Sequence, residues 1–190
     1  MSIIDKVVAA VTPPESDDAR REARDKARAS TSRGDWLSMI LDHHEQIEAA
    51  FAAVRSATTP SARIVAHKEL ATLLTGHSNA EEAVIYPALA GADEKRHAMS
   101  AYGEQATAKV EMGLLENIPP MSKDFLDKLE HIRGAVAHHI YEEESKWFLE
   151  LKQNVPSADQ LKLSKRYEEE FTRYVGVDLE SLSEGETAMV

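Results

Sequence analysis

The chain has 190 residues, of which 43% are hydrophobic and none is cysteine, and its formal net charge at pH 7 is −11. This length allows one domain with a substantial core, and the negative charge disfavours nucleic acid or a membrane surface as the main partner. Without cysteine, disulfides, thiolate metal sites and iron–sulfur clusters are excluded, so a bound metal must be held by His, Asp or Glu.

Residues 1–34 are predicted to form a charged helical arm. The opening residues lack the apolar segment of a secretory signal, which predicts a cytoplasmic protein with no membrane span. A short amphipathic helix is expected over 3–11, and a second helix over 15–30 carries Arg20, Arg21, Arg24, Lys26 and Arg28. We expect a solvated basic face. Docking of this basic strip on the acidic body or on an unknown protein partner is the less favoured alternative.

Four long helices are predicted next, over 36–57, 61–90, 93–116 and 122–154. Asp35 is a good N-cap for the first of them. The short connections favour antiparallel neighbours, so the predicted fold is all-α, an up-down-up-down antiparallel four-helix bundle over 35–154. A C-terminal fifth helix is expected at 158–174, within segment 155–176, and a flexible acidic tail over 177–190.

One pattern occurs in both the second and the fourth helix: a His, three residues, Glu-Glu, two residues and a bulky apolar pair. Residues four apart lie on one face of a helix, so His77 with Glu81, and His139 with Glu143, can each reach one point. A buried carboxylate without a partner costs several kcal/mol. A pair of divalent cations between the two copies would neutralise both glutamates.

His44 lies in the middle of the apolar line of the first helix. Helical periodicity selects His44 over His43 and His139 over His138, although both neighbours stay open as alternatives. His67, on an apolar face of the second helix, is expected to be a hydrogen-bonded core residue. The predicted metal ligands are therefore His44, His77, Glu81, His139 and Glu143.

These motifs resemble the hemerythrin-like, or HHE cation-binding, domain family over about residues 36–152. The residues that carry the resemblance are Leu41-Asp42-His43-His44, the motif from His77 to Glu81 with Tyr86-Pro87 after it, and the motif from His139 to Glu143. The resemblance implies two non-heme irons joined by an oxo or hydroxo bridge. The two motif glutamates also bridge these irons. Mn and Zn suit the same ligand types, so the choice of iron depends on the resemblance.

The third helix departs from the family pattern, which usually has a histidine followed four residues later by a lysine. Alignment on Lys109 places Gln105 at the histidine position. Further candidates for the site are Glu104 as the first substitute ligand, Gln105 as a weak oxygen ligand, Tyr102 as an outer partner, His97 near the start of the helix, and Glu48, for which a solvated position is favoured. An incomplete ligand set leaves a coordination position open for a small ligand.

The leading hypothesis is a non-heme di-iron protein that binds or reacts with O2, peroxide or NO, for sensing, carriage or detoxification. A metal buffer or iron-responsive interaction module without turnover is the first alternative. A metal-free helical interaction protein is the second. Whether the protein is an enzyme stays open.

Overall fold

The computed structural model describes residues 15–91 and 95–176, which form six helices and contain no strand. The all-α class is thus confirmed. The helices are α1 (Asp17–Ala29), α2 (Trp36–Ser56), α3 (60–91), α4 (Lys95–Leu115), α5 (123–154) and α6 (Ser157–Val175). The helix predicted over 3–11 and the tail predicted over 177–190 lie outside the described residues. The division of the chain into arm, bundle, C-terminal helix and tail stays a prediction.

Two of the long helices, α3 and α5, each contain a π-helical turn. Helix α3 consists of Pro60–Ala80, the π turn Glu81–Ile85 and Tyr86–Gly91, and α5 consists of Lys123–Glu142, the π turn Glu143–Trp147 and Phe148–Asn154. Each π turn begins at the first glutamate of the repeated pattern. A π turn places one extra residue in the helix and is frequent at functional sites. A regular spacing of 3.6 residues per turn does not predict these turns.

Polar side chains fix where the helices begin. The Asp35 carboxylate accepts a hydrogen bond from the Ser38 N–H at 2.8 Å, as expected of an N-cap. Thr59 does the same for Ala62 at 3.2 Å, directly before a proline that suits the first turn of α3. Asp35 also accepts from Lys152 Nζ at 2.7 Å, which connects the start of α2 to the end of α5.

Two apolar clusters fill the interior. One contains Trp36, Leu41, Ile85 and Phe148, and the other contains Ile47, Phe51, Leu70 and Phe125. Helices α2, α3 and α5 pass from one cluster to the other at His44, at 77–81 and at 139–143 respectively. A buried polar layer therefore separates the clusters, and all the predicted metal ligands lie in it.

Helix α1 packs on the bundle through two buried small residues, Ala23 and Ala27. Two of its basic residues face acidic side chains of the bundle: Arg24 Nε lies 3.0 Å from Glu144 Oε1 of α5, and Arg28 Nη2 lies 2.8 Å from Glu45 Oε1 of α2. The expectation of a solvated basic face was therefore wrong for Arg24 and Arg28, while Arg21 and Lys26 are exposed as expected. The two alanines allow a close approach that leaves the arginines within reach of the acidic residues.

Helix α6 packs against α2 and α3. Its one buried side chain, Tyr167, points toward the polar layer and contacts histidines of both helices. Gly76 of α3 permits the close approach, since a Cβ there would lie 2.6 Å from Val175 Cγ2. Among residues 15–91 and 95–176, no helix combines the length and apolar character needed to cross a membrane.

Candidate metal centre

The five predicted ligands meet in the buried polar layer. His44, His77 and Glu81 have donor atoms within 4.8 Å of one another, and Glu81, His139 and Glu143 form a second such group. All five side chains are buried. Since Glu81 belongs to both groups, two cations bound there would share its carboxylate.

The distances within the two groups follow from the helical spacing. His77 Nε2 lies 3.2 Å from Glu81 Oε2, and His139 Nε2 lies 3.3 Å from Glu143 Oε1. His44 Nε2, from α2, lies 3.4 Å from Glu143 Oε2 and so connects the first group to the second copy of the motif.

Several buried atoms of the centre have no hydrogen-bond partner: His44 Nε2, Glu81 Oε1, Glu143 Oε2 and Gln105 Oε1. Buried polar atoms without a partner are costly and rare in folded proteins. Three of them belong to residues of the two groups, and the fourth adjoins Glu81. Imidazole nitrogen and carboxylate oxygen are donors for iron, manganese and zinc alike. The donor set therefore fits bound cations.

The carboxylates and imidazoles shift one another's pKa values. Burial and the charge of Glu143 raise the pKa of Glu81 to about 8. Burial acts to lower the pKa of His44, but Glu143 and Glu144 outweigh it and raise this pKa to about 9. For His77, burial and the charge of His44 hold the pKa well below its usual range. Without metal, a proton on His44 thus partly neutralises the buried carboxylates.

Each of the three predicted ligand imidazoles has its Nδ1 atom held from outside the two groups. The pairs are His44 with Glu144 Oε1 at 2.8 Å, His77 with the Tyr167 hydroxyl at 3.1 Å, and His139 with Glu104 Oε2 at 2.7 Å. Such partners fix the orientation of the ring. All three Nε2 atoms consequently face the centre.

The α4 candidates take three different positions. Gln105 is buried, and its Nε2 donates to Glu81 Oε2 at 2.5 Å. Glu104 contacts the Nδ1 atom of His139, on the side of the ring that faces away from the centre. The Tyr102 hydroxyl donates to the backbone carbonyl of Glu82 at 2.7 Å and is directed away from the two groups. Gln105 therefore occupies the inner position at which the family pattern has a histidine.

The remaining candidates lie outside the two groups. Glu48 forms an ion pair with Arg24 at 2.8 Å. Two of the histidines have polar side-chain partners: His43 bonds the Tyr167 hydroxyl at 2.8 Å, and His138 contacts Glu15 at 2.7 Å. His67 contacts the Met112 carbonyl at 3.2 Å, and the His97 ring stacks on Trp147. His67 thus takes the core role expected of it. His43 and His138, the neighbours of predicted ligands, both point away from the centre.

Sequence reasoning missed three residues that contact the predicted ligands. The Tyr86 hydroxyl touches Glu81, His139 and Glu143, while Glu144 and Tyr167 hold two of the imidazoles. The second glutamate of each Glu-Glu pair was a signal for Glu144. For Tyr86, the signal was the difference between the two copies of the motif: the first has a tyrosine where the second has Phe148. For Tyr167 there was no local signal.

Comparison with known proteins agrees with this geometry. A model of the hemerythrin HHE cation-binding domain family matches residues 36–151. A DNA nickase from Nostoc sp. (strain PCC 7120 / SAG 25.82 / UTEX 2576) is 25% identical over 119 residues, which are 63% of this chain and 34% of the nickase. The chain thus spans only about a third of that curated relative's length. No solved structure matches the chain significantly.

Proposed function

We propose that this chain, which belongs to the hemerythrin HHE cation-binding domain family, holds two iron ions and binds or reacts with O2, peroxide or NO. One observation carries the proposal: two buried groups of metal donors share Glu81. Family membership and the donor types support metal binding, and the choice of iron over Mn or Zn follows the family resemblance. The up-down-up-down antiparallel order of the four central helices belongs to the same proposal.

In this proposal the two groups have unequal ligand sets. His44 and His77 hold one cation together with Glu81, and His139 holds the other together with Glu81 and Glu143. Bound iron would supply the electrons for chemistry with a small ligand. Each cation then has three protein donors, so both keep open positions at which that ligand could bind.

The chain itself controls access and orientation. The apolar cluster with Ile85 and Phe148 lies on one side of the centre and that with Ile47 and Phe51 on the other, and both exclude water. Glu144, Glu104 and Tyr167 hold the three imidazole rings in place. A site built on packed helices and held in this way keeps its geometry when the cations change charge.

Metal analysis of variants tests the assignment. His77→Ala and Glu81→Ala should each reduce the metal content by half or more, since each removes a donor from a group of three. His138→Ala is the control, because this side chain is 43% exposed and lies next to a proposed ligand without facing the centre. Retention of two metals per chain in the first two variants would contradict the assignment.

Kinetics separate the redox proposal from a metal buffer without turnover. The reduced, iron-loaded protein should reoxidise in air and repeat the cycle after each addition of dithionite. A buffer would instead lose helicity on metal removal and show no reaction with oxygen.

The proposed partners are small ligands rather than nucleic acid. The net charge of −11 opposes binding to a phosphate backbone. DNA nicking is therefore not carried over from the Nostoc relative, of which this chain covers 34%. The cytoplasmic location stays a prediction, and a protein partner of the arm stays unassigned.

A further inference from the structure

We infer that the hydroxyl oxygen of Tyr86 is a metal ligand, as a phenolate, on the cation held by Glu81, His139 and Glu143. This inference rests on the proposed function, since it adds a donor to the second of the two groups. It concerns a residue whose position in the site was not predicted from the sequence.

The π turn of α3 brings Tyr86 to the centre. In a regular α-helix, successive residues are about 100° apart, so a residue five positions after Glu81 would point roughly 140° away from it. Here the Tyr86 N–H bonds the carbonyl of Glu81, which closes a π turn. The extra residue turns Tyr86 back toward the side of Glu81. The Tyr86 side chain is fully buried as a result.

The Tyr86 hydroxyl lies at similar distances from a donor atom of each member of the second group. It is 3.1 Å from Glu81 Oε2, 2.9 Å from Glu143 Oε1 and 3.1 Å from His139 Nε2. Donors bonded at ~2.1 Å to one octahedral cation lie about 3 Å apart. The Tyr86 hydroxyl therefore has the spacing from these three atoms that ligands of one cation have, and the donor atoms of Glu81, His139 and Glu143 lie within 4.8 Å of one another.

Hydrogen bonding alone does not satisfy these contacts once the ligands have lost their protons. A phenol has one hydrogen to donate. Metal ligation requires ionised carboxylates and a neutral His139 ring. In that state the carboxylates of Glu81 and Glu143 only accept, and His139 Nε2 is also an acceptor because Nδ1 is directed to Glu104 at 2.7 Å. Three acceptors thus compete for one proton. A cation among the four atoms would satisfy all of them together.

The two copies of the motif differ at this position in a way that fits the ligand count. The matching residue of the second copy, Phe148, stacks beside His44 with 6.5 Å between ring centroids and has no polar atom. It adjoins the group with two imidazoles. Tyr86 adjoins the group with one imidazole, where Gln105 stands at the histidine position. The phenol oxygen is therefore present at the group that has only one histidine donor.

Coordination would replace the phenol proton by the metal, and the proton would leave to solvent. A phenolate is a hard anionic oxygen donor of the kind that suits oxidised iron. Phenolate bound to ferric iron has a visible charge-transfer band, and resonance Raman excitation in this band enhances the vibrations of the phenolate ring. These signals report ligation directly and do not depend on any reaction of the protein.

The test compares Tyr86→Phe with the matched control Tyr167→Phe. Both tyrosines are fully buried and both hydroxyls contact proposed ligands, but Tyr167 touches the Nδ1 atom of His77, on the outer side of its ring. Visible and resonance Raman spectra would be recorded on the oxidised, iron-loaded proteins, together with their iron content. We expect phenolate vibrations in the unmodified protein and in Tyr167→Phe, and their loss in Tyr86→Phe.

Two results would overturn the inference. One is an unmodified protein that binds two irons per chain and shows no phenolate vibrations, a result that does not depend on the folding of any variant. The other is persistence of these vibrations in Tyr86→Phe. An unmodified protein that binds no iron would instead overturn the proposed function, so the two failures are distinguishable.

Discussion

Arg24 connects helix α1 to the candidate metal centre, and its loss should destabilise the protein more than the loss of any exposed ion pair. Its Nε lies 3.0 and 3.2 Å from the two carboxylate oxygens of Glu144, and its terminal nitrogens each lie 2.8 Å from an oxygen of Glu48. The Glu144 side chain is 1% exposed, while that of Glu48 is 43% exposed. Glu144 in turn holds the ring of His44.

In Arg24→Gln, Glu144 stays buried without its cation. Removal of one partner of a buried ion pair costs ~3–5 kcal/mol. Because Glu144 keeps its hydrogen bond to His44, we expect a loss at or just below the lower end of this range, about 2–3 kcal/mol of unfolding free energy. The exposed pair with Glu48 contributes less than ~1 kcal/mol of that total.

Arg28→Gln is the matched control, one turn further along the same helix. Its partners Asp42 and Glu45 are both 54% exposed, so its loss should cost under ~1 kcal/mol. Urea unfolding of the metal-free proteins, followed by helical circular dichroism, measures both values. Equal losses in the two variants would refute this reasoning, as would a loss below ~1 kcal/mol for Arg24→Gln.

Three further outcomes are expected. The pKa of His44 in the folded protein, about 9, lies above its ordinary 6.5, so its stabilising effect is complete below pH 6.5 and is lost as the pH rises through 9. Urea midpoints of the metal-free protein should fall over this interval, and a midpoint that rises would contradict the shift. Gly76→Ala should loosen the end of α6, because the added Cβ would lie 2.6 Å from a side chain of that helix. In the control Gly103→Ala on α4, the added Cβ meets nothing within 4 Å, so this variant should stabilise the folded protein by up to ~1 kcal/mol. Thermal unfolding measures both effects. Glu104→Gln removes the carboxylate that holds the His139 ring and should weaken metal binding ~10–100-fold in a chelator competition. An unchanged affinity would show that Glu104 does not support metal binding through His139.

The helices and the ligand faces were largely predictable, because both depend on local periodicity. The apolar spacing of α2 selects His44 over His43, and the structure places His44 in the centre and His43 against Tyr167. The same reasoning separates His139 from His138. Such choices need only the angle between successive residues of one helix.

The contacts of the arm and of α6 were not predictable in this way. Arg24 and Glu144 are 120 residues apart, and the pattern of charges on α1 does not show which face meets the bundle. Tyr167 reaches His77 across 90 residues. The π turns were not predicted for a different reason, because a period of 3.6 residues assumes that no residue is inserted. Tyr86 therefore falls on the wrong side of a regular helix.

Metal analysis by mass spectrometry, with visible spectra of the freshly purified protein before and after dithionite, tests the central proposal most directly. We expect two irons per chain and an absorption that bleaches on reduction and returns in air. A protein that contains no iron, and takes up none during anaerobic reconstitution, would contradict the proposal that His44, His77, Glu81, His139 and Glu143 hold a di-iron centre.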